Sequence, residues 1–172
     1  MIRTRAVVLA LAIAPLGCAP QLLRPARPAA SVEPLHLSSV AGSGDAARRA
    51  STRIALEGID ADAAGRSELA ADRYARALQV DATNPWVYLA LARHRLDEGR
   101  PADALAALDQ AEARLRAEHA LSPGAQVDIA GLRGEALVAS GDASQGRSLL
   151  RDAAEREPSV WADGHLDAAE LR

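Results

Sequence analysis

The stretch that decides the fold is "GRPADALAALDQA", residues 99–111. Pro101 sits near its start, where a helix tolerates a residue without an N–H, and Gly99 is suited to the left-handed backbone that ends a preceding helix. Leu105 and Leu108 lie three residues apart, on one helical face. Alanine occupies 102, 104, 106, 107 and 111. It is the best helix former but buries little surface, so a helix this rich in it exchanges side-chain bulk for close approach to a neighbour.

Outward from this stretch the chain repeats. Blocks 51–84 and 85–118 abut at a spacing of 34 residues, and a third block, 127–160, overlays on both. Within each block the eighth position is small (Gly58, Ala92, Gly134) and the fifteenth is glycine (Gly65, Gly99, Gly141). The twentieth is small (Ala70, Ala104, Gly146), the twenty-fourth bulky (Tyr74, Leu108, Leu150) and the twenty-seventh alanine (Ala77, Ala111, Ala153). Each block therefore reads as a helix, a glycine stop and a second helix, with small residues where the two approach.

In length and in these positions the blocks resemble the tetratricopeptide repeat family, whose unit is 34 residues. The resemblance implies an all-α fold, a right-handed superhelical array of helix-turn-helix repeats closed by a C-terminal capping helix over 161–172. The blocks depart from the family pattern in places. Its aromatic at position four survives only as Tyr88, replaced by Ile54 and Ala130; its leucine at position seven is Glu57 and Arg133 in the outer blocks; its closing proline remains only as Pro158. Eight extra residues separate the second and third blocks. The second helix of block two is expected to run to about Leu121, before a turn at Pro123 and Gly124.

Composition agrees with one helical body: 49% hydrophobic and 25% charged residues, with two Tyr, two Trp and no Phe. The 20 basic residues are all arginine, which fits GC-rich codon usage better than a nucleic-acid surface. Cys18 is the single cysteine, so neither an intramolecular disulfide nor a thiolate cluster can form. It follows "MIRTRAVVLALAIAPLG", in which Arg3 and Arg5 precede an apolar run from Ala6 to Leu16. That run is shorter than the roughly 20 residues of a membrane-spanning helix and reads as an export leader over 1–17.

"LGC" at Leu16 to Cys18 resembles the lipobox of bacterial lipoproteins, with Pro15 and Leu16 departing from its usual residues; an ordinary cleaved leader is the alternative. The resemblance implies lipid (palmitate) on Cys18 and, with Ala19 following, an outer-membrane address facing the periplasm. Loss of the leader leaves 18 basic against 23 acidic residues, a net charge of −5 that argues against nucleic acid as partner. Residues 18–44, with prolines at 20, 25, 28 and 34, read as a disordered tether. Such a tether reaches about 80 Å if extended and nearer 30 Å as a flexible coil. The repeat body then occupies 45–172, with Ser43 or Asp45 capping its first helix.

Catalytic and metal signatures are absent from the sequence. His36, His94, His119 and His165 are scattered, "DADAAG" at 60–65 lacks later calcium ligands, and "DGHLD" at 163–167 reads as a solvated cap. No enzyme activity, cofactor or metal is expected. The family resemblance instead implies a concave groove, lined by the first helices, that holds a protein or peptide partner. Carried over by position, its lining is Thr52, Ala55, Ile59 and Asp62; Trp86, Leu89, Arg93, Leu96 and Asp97; and Asp128, Glu135 and Val138. Ala55 and Ile59 replace the residues with which some relatives clamp a C-terminal carboxylate. An exposed Trp86 beside Leu89 and Arg93 has the composition of a binding hot spot; the alternative packs Trp86 against the linker or a neighbouring repeat.

The expected function is a membrane-anchored interaction scaffold of the cell envelope, serving a secretion, pilus or envelope assembly. The alternative is a structural subunit whose groove is filled by its own linker or by a second copy, with no separate client. Composition does not decide the oligomeric state.

Overall fold

The computed structural model describes residues 31–172. The leader, Cys18 and the first part of the expected tether lie outside the described residues. Those described form nine helices and no strand: α1 (Leu37–Val40), α2 (Ala46–Ala63), α3 (Ser67–Val80), α4 (Pro85–Asp97), α5 (Pro101–Ala117), α6 (Pro123–Ala139), α7 (Ala143–Arg156), α8 (Pro158–Trp161) and α9 (Ala168–Leu171). The architecture is the expected all-α array of helical hairpins: α2 packs on α3, α4 on α5 and α6 on α7.

Each hairpin turns at the glycine of the fifteenth block position, where φ is 69°, 70° and 98° at Gly65, Gly99 and Gly141. A side chain there would be strained whatever the space around it. The small residues then set how closely the helices approach. A Cβ on Gly58 would stand 2.6 Å from the Tyr74 ring, and one on Gly146 2.5 Å from the Gly134 carbonyl oxygen. In the third hairpin the backbones themselves therefore touch.

Adjacent hairpins are joined by buried polar contacts. Asn84 caps α4 by accepting from the Trp86 amide, while its Nδ2 donates to Thr52 Oγ1 at 2.9 Å and Ser51 Oγ at 3.1 Å. The half-buried Arg48 of α2 binds Asp81 at the end of α3, within its own hairpin, and the more exposed Glu118 at the end of α5, in the next. Asp45, one of the two expected caps, accepts from the Arg48 amide at 2.8 Å.

Three boundaries differ from the sequence reading. First, α5 stops at Ala117, and His119 takes a left-handed φ of 54° to turn the chain. Pro123 and Gly124 do not form that turn: Ser122 caps α6 and Pro123 opens it. The serine–proline pair is a helix-start signal, and the proline's missing N–H costs nothing there. Gly124 is small because the strand-like backbone of Glu33 crosses it; an added Cβ would lie 2.8 Å from the Glu33 oxygen.

Second, residues 32–44, read as tether, are part of the folded body. Leu35 and Leu37 are buried in the core, and the Val32 amide donates to the Arg156 carbonyl at 2.9 Å. Third, the expected capping helix over 161–172 is not one helix: the segment after α7 forms the four-residue α8 and α9, and α9 packs on α2 of the first hairpin rather than on the last repeat. The segment's course decides what the groove contains.

Candidate functional site

The first helices of the three hairpins, α2, α4 and α6, stand side by side, and the chain's own C-terminal segment is laid across them. The segment begins at Trp161, which is fully buried against α6. Its Nε1 donates to Asp128 at 3.1 Å, and its ring fills the space left by Gly131. His165 then pairs with Glu135 of α6 at 2.8 Å and approaches Asp97, the last residue of α4, at 4.0 Å. Finally α9 packs on α2, with Leu166 and Leu171 buried and Arg172 bonded to Asp60. From the other side the N-terminal strap meets it: His36 Nδ1 donates to the Glu170 carbonyl and the Ser38 amide to the Arg172 carbonyl, both at 2.9 Å.

The groove residues expected from sequence are brought together on this face, but the exposed binding surface is not there. Trp86 retains 7% of its surface and Arg93 2%; Thr52, Ala55, Ile59, Leu89 and Asp128 are also buried. Leu96 and Glu135 are half-buried, and only Asp97 and Val138 reach solvent. Trp86 packs where the strap crosses, lining a cleft of about 660 Å³ with Leu35, Val40 and Pro123.

The polar members are occupied with one another. Asp62 Oδ2 accepts from Tyr74 Oη and from Arg93 Nη2, each at 2.8 Å, and Oδ1 accepts from His94 Nδ1 at 2.8 Å. Arg93 also reaches Asp97 at 2.9 Å. Burial works to raise the Asp62 pKa, but the hydrogen bonds from His94 and Tyr74 and the Arg93 charge outweigh it and hold the carboxyl below its usual value. Burial likewise raises Tyr74, which stays a neutral donor.

The α6 end of the site has the opposite electrostatics. Burial pushes Asp128 up to about 7, helped by the neighbouring Glu157 charge and opposed by the Trp161 hydrogen bond. Glu157, at the start of α8, is raised by burial too, and neither of its oxygens has a hydrogen-bond partner among the described residues. Glu135 is raised by burial despite its bond to His165.

This arrangement makes stability depend on pH. Asp128 holds its proton more tightly folded than unfolded, so the folded state loses stability as pH rises from about 4 to about 7, and the loss is complete above that range. Asp128→Asn keeps the acceptor for Trp161 and removes the charge. The variant is expected to melt several degrees above the wild type at pH 7.5, the ceiling being about 4 kcal/mol, and close to it near pH 4. Thermal denaturation at the two pH values checks this; a variant less stable at pH 7.5 would show that the ionised carboxylate supports the fold.

Residues 63–122, covering α3 to α5 and their flanking turns, match the tetratricopeptide repeat family model. The chain carries tetratricopeptide repeats. No curated protein and no solved structure matches. Around the matched segment of this repeat protein, α2 and the α6–α7 hairpin extend the same pattern of small residues and glycine stops.

Sequence reasoning missed Tyr74 and His94 as members of the Asp62 cluster, and it missed Trp161, Leu166 and Leu171 as occupants of the groove. A signal for the latter was present: Val160, Trp161, Leu166 and Leu171 are too apolar for a solvated cap. Among the described residues, no group of three or more His, Cys, Asp or Glu is placed to hold a metal ion, and no helix is long and apolar enough to cross a membrane.

Proposed function

We propose that this repeat protein is an interaction scaffold held at a membrane surface of the cell envelope by lipid on Cys18, and that its concave face receives a segment of a protein partner. Tetratricopeptide repeats suggest a protein–protein interaction role. The observation that supports the groove as the site is its present content. Three adjacent helices already hold a nine-residue stretch, 164–172, through two buried leucines and paired charges. A face that accommodates one such segment has the shape and polarity to accommodate another.

The same observation favours a second reading, in which the segment is a permanent filling and the protein is a structural subunit without a client. One experiment separates them. Full-length protein is expressed in a Gram-negative host with a photo-crosslinking residue at Val138, at the groove's edge, or at Gln110 on the second-helix side, with Cys18 intact or as Cys18→Ser. The scaffold reading expects palmitate incorporation and membrane fractionation that depend on Cys18, and an adduct from position 138 but not 110. Membrane association unchanged by Cys18→Ser overturns the anchor. Equal adducts from both positions, or none from 138, favour the structural subunit.

A further inference from the structure

We propose that residues 164–172 are an internal ligand of the groove, and that the partner is a short segment of the same chemistry ending in a single helical turn: a basic residue, leucine, four residues, a second leucine and a basic residue. The inference deepens the scaffold reading and rests on it. In this chain the pattern is His165, Leu166, Leu171 and Arg172. Each feature has a counterpart on the groove. Leu166 and Leu171 enter the core, His165 pairs with Glu135, and Arg172 with Asp60. Two carboxylates stand where the cations of the segment arrive, Asp60 of α2 and Glu135 of α6, with Asp97 of α4 at 4.0 Å from His165; Asp62 is engaged by Arg93. The segment's own Asp167 and Glu170 form the capping box of α9, so a segment with cations at both ends complements the two carboxylates.

The segment is attached at both ends: at Trp161, through a bend at Gly164 whose φ of 82° other residues adopt with strain, and at the strap, where the Glu170 carbonyl accepts from His36 and the Arg172 carbonyl from Ser38. Its helix, α9, is four residues long, far too short to persist away from the groove. Its charged attachments are half-solvated: His165 and Asp97 each keep 39% of their side-chain surface. Between segment and groove remains a cavity of about 420 Å³, lined by Asp62, Arg93 and Asp97 on one side and His165, Asp167 and Ala168 on the other. The helices beneath, by contrast, are closed by the Asp62 cluster, which uses no residue of the segment.

A tethered segment competes with a free one at an effective concentration of millimolar order, so releasing it should raise the affinity for the free peptide by about tenfold or more. The test uses full-length protein and a fluorescent peptide, DGHLDAAELR, copied from 163–172. Leu166→Asp with Leu171→Asp, which alters the segment and substitutes no residue of α2, α4 or α6, is expected to bind this peptide at least tenfold more tightly than the wild type does. A peptide with alanine in place of its histidine and arginine should bind more weakly, and the difference should shrink in high salt. Equal binding by the variant and the wild type overturns the proposal. Should the variant fail to fold, hydrogen exchange on the wild type decides: amides of 168–172 are expected to exchange at least about a hundredfold faster than those of α4, and equal protection overturns the inference. A concentration-dependent wild-type dimer that the peptide dissociates would also overturn it, by making a second copy the occupant. The peptide assay involves neither Cys18 nor the crosslinker, so its failure is distinguishable from failure of the scaffold reading.

Discussion

Trp161→Ala is expected to be the most damaging single truncation in the C-terminal segment, lowering stability by about 3–5 kcal/mol and the melting temperature by roughly 10 °C or more. The side chain is fully buried, lies on α6 where Gly131 leaves room for it, and supplies the one hydrogen bond that Asp128 receives from α8. The reciprocal change is informative. Gly131→Ala in an ordinary helix would gain about 1 kcal/mol from propensity. Here the new Cβ would lie 2.4 Å from the indole, so a loss is expected. In the Trp161→Ala background the obstacle is gone, and Gly131→Ala should become neutral or stabilising. A sign change between backgrounds, read by denaturant melts of the four proteins, identifies the indole–glycine contact; additive losses would refute it. Trp161→Ala also removes the point from which 164–172 hangs, so the variant should exchange amides throughout that segment faster than the wild type.

The three hairpins were legible in the sequence because local rules carry them. A glycine that must adopt positive φ and a small residue where helices touch recur at fixed offsets, and Gly65, Ala104 and Gly146 occupy the places read for them. The two flanking segments were not legible because nothing local determines them. Leu35 and Leu37 stand in proline-rich text with no helical period, and their segment is held by distant partners: the Arg156 carbonyl at the end of α7, the Glu170 and Arg172 carbonyls, and the close packing of Glu33 on Gly124 of α6. Four-residue helices such as α1 and α9 carry no readable periodicity. The positions carried over for the groove lie on α2, α4 and α6, and most of them are buried rather than exposed. Asp62, Arg93 and Asp97 meet across two helices, and pairing between residues 31 apart leaves no trace in a local window. What remains for a partner is the part of the groove that the chain's own tail now covers.

Asp62→Ala is expected to cost about 3–5 kcal/mol, because it leaves the buried Arg93 charge with only the partly exposed Asp97 as counter-ion and strands two further donors. Those donors are Tyr74 Oη and His94 Nδ1, both inside the interface between the first two hairpins. Asp62→Asn should recover only part of the loss, since an amide offers one oxygen where three donors converge and turns its own N–H groups toward one of them. Arg93→Met, made together with Asp62→Ala, removes both charges and should be less damaging than Asp62→Ala alone. A double variant worse than the single would mean that the pair contributes little and that packing alone carries the interface. The pH dependence gives an independent check with the opposite sign to Asp128. Asp62 is held below its usual pKa, so its contribution is present above about pH 4 and is lost as pH falls through its lower folded value. Asp128 destabilises progressively between about pH 4 and its folded pKa of about 7. The two carboxylates, one holding α2 to α4 and the other meeting the C-terminal segment at α6, therefore favour a stability maximum in mildly acid solution. Asp62→Asn should lose the acid limb of that curve, and Asp128→Asn should flatten its neutral limb.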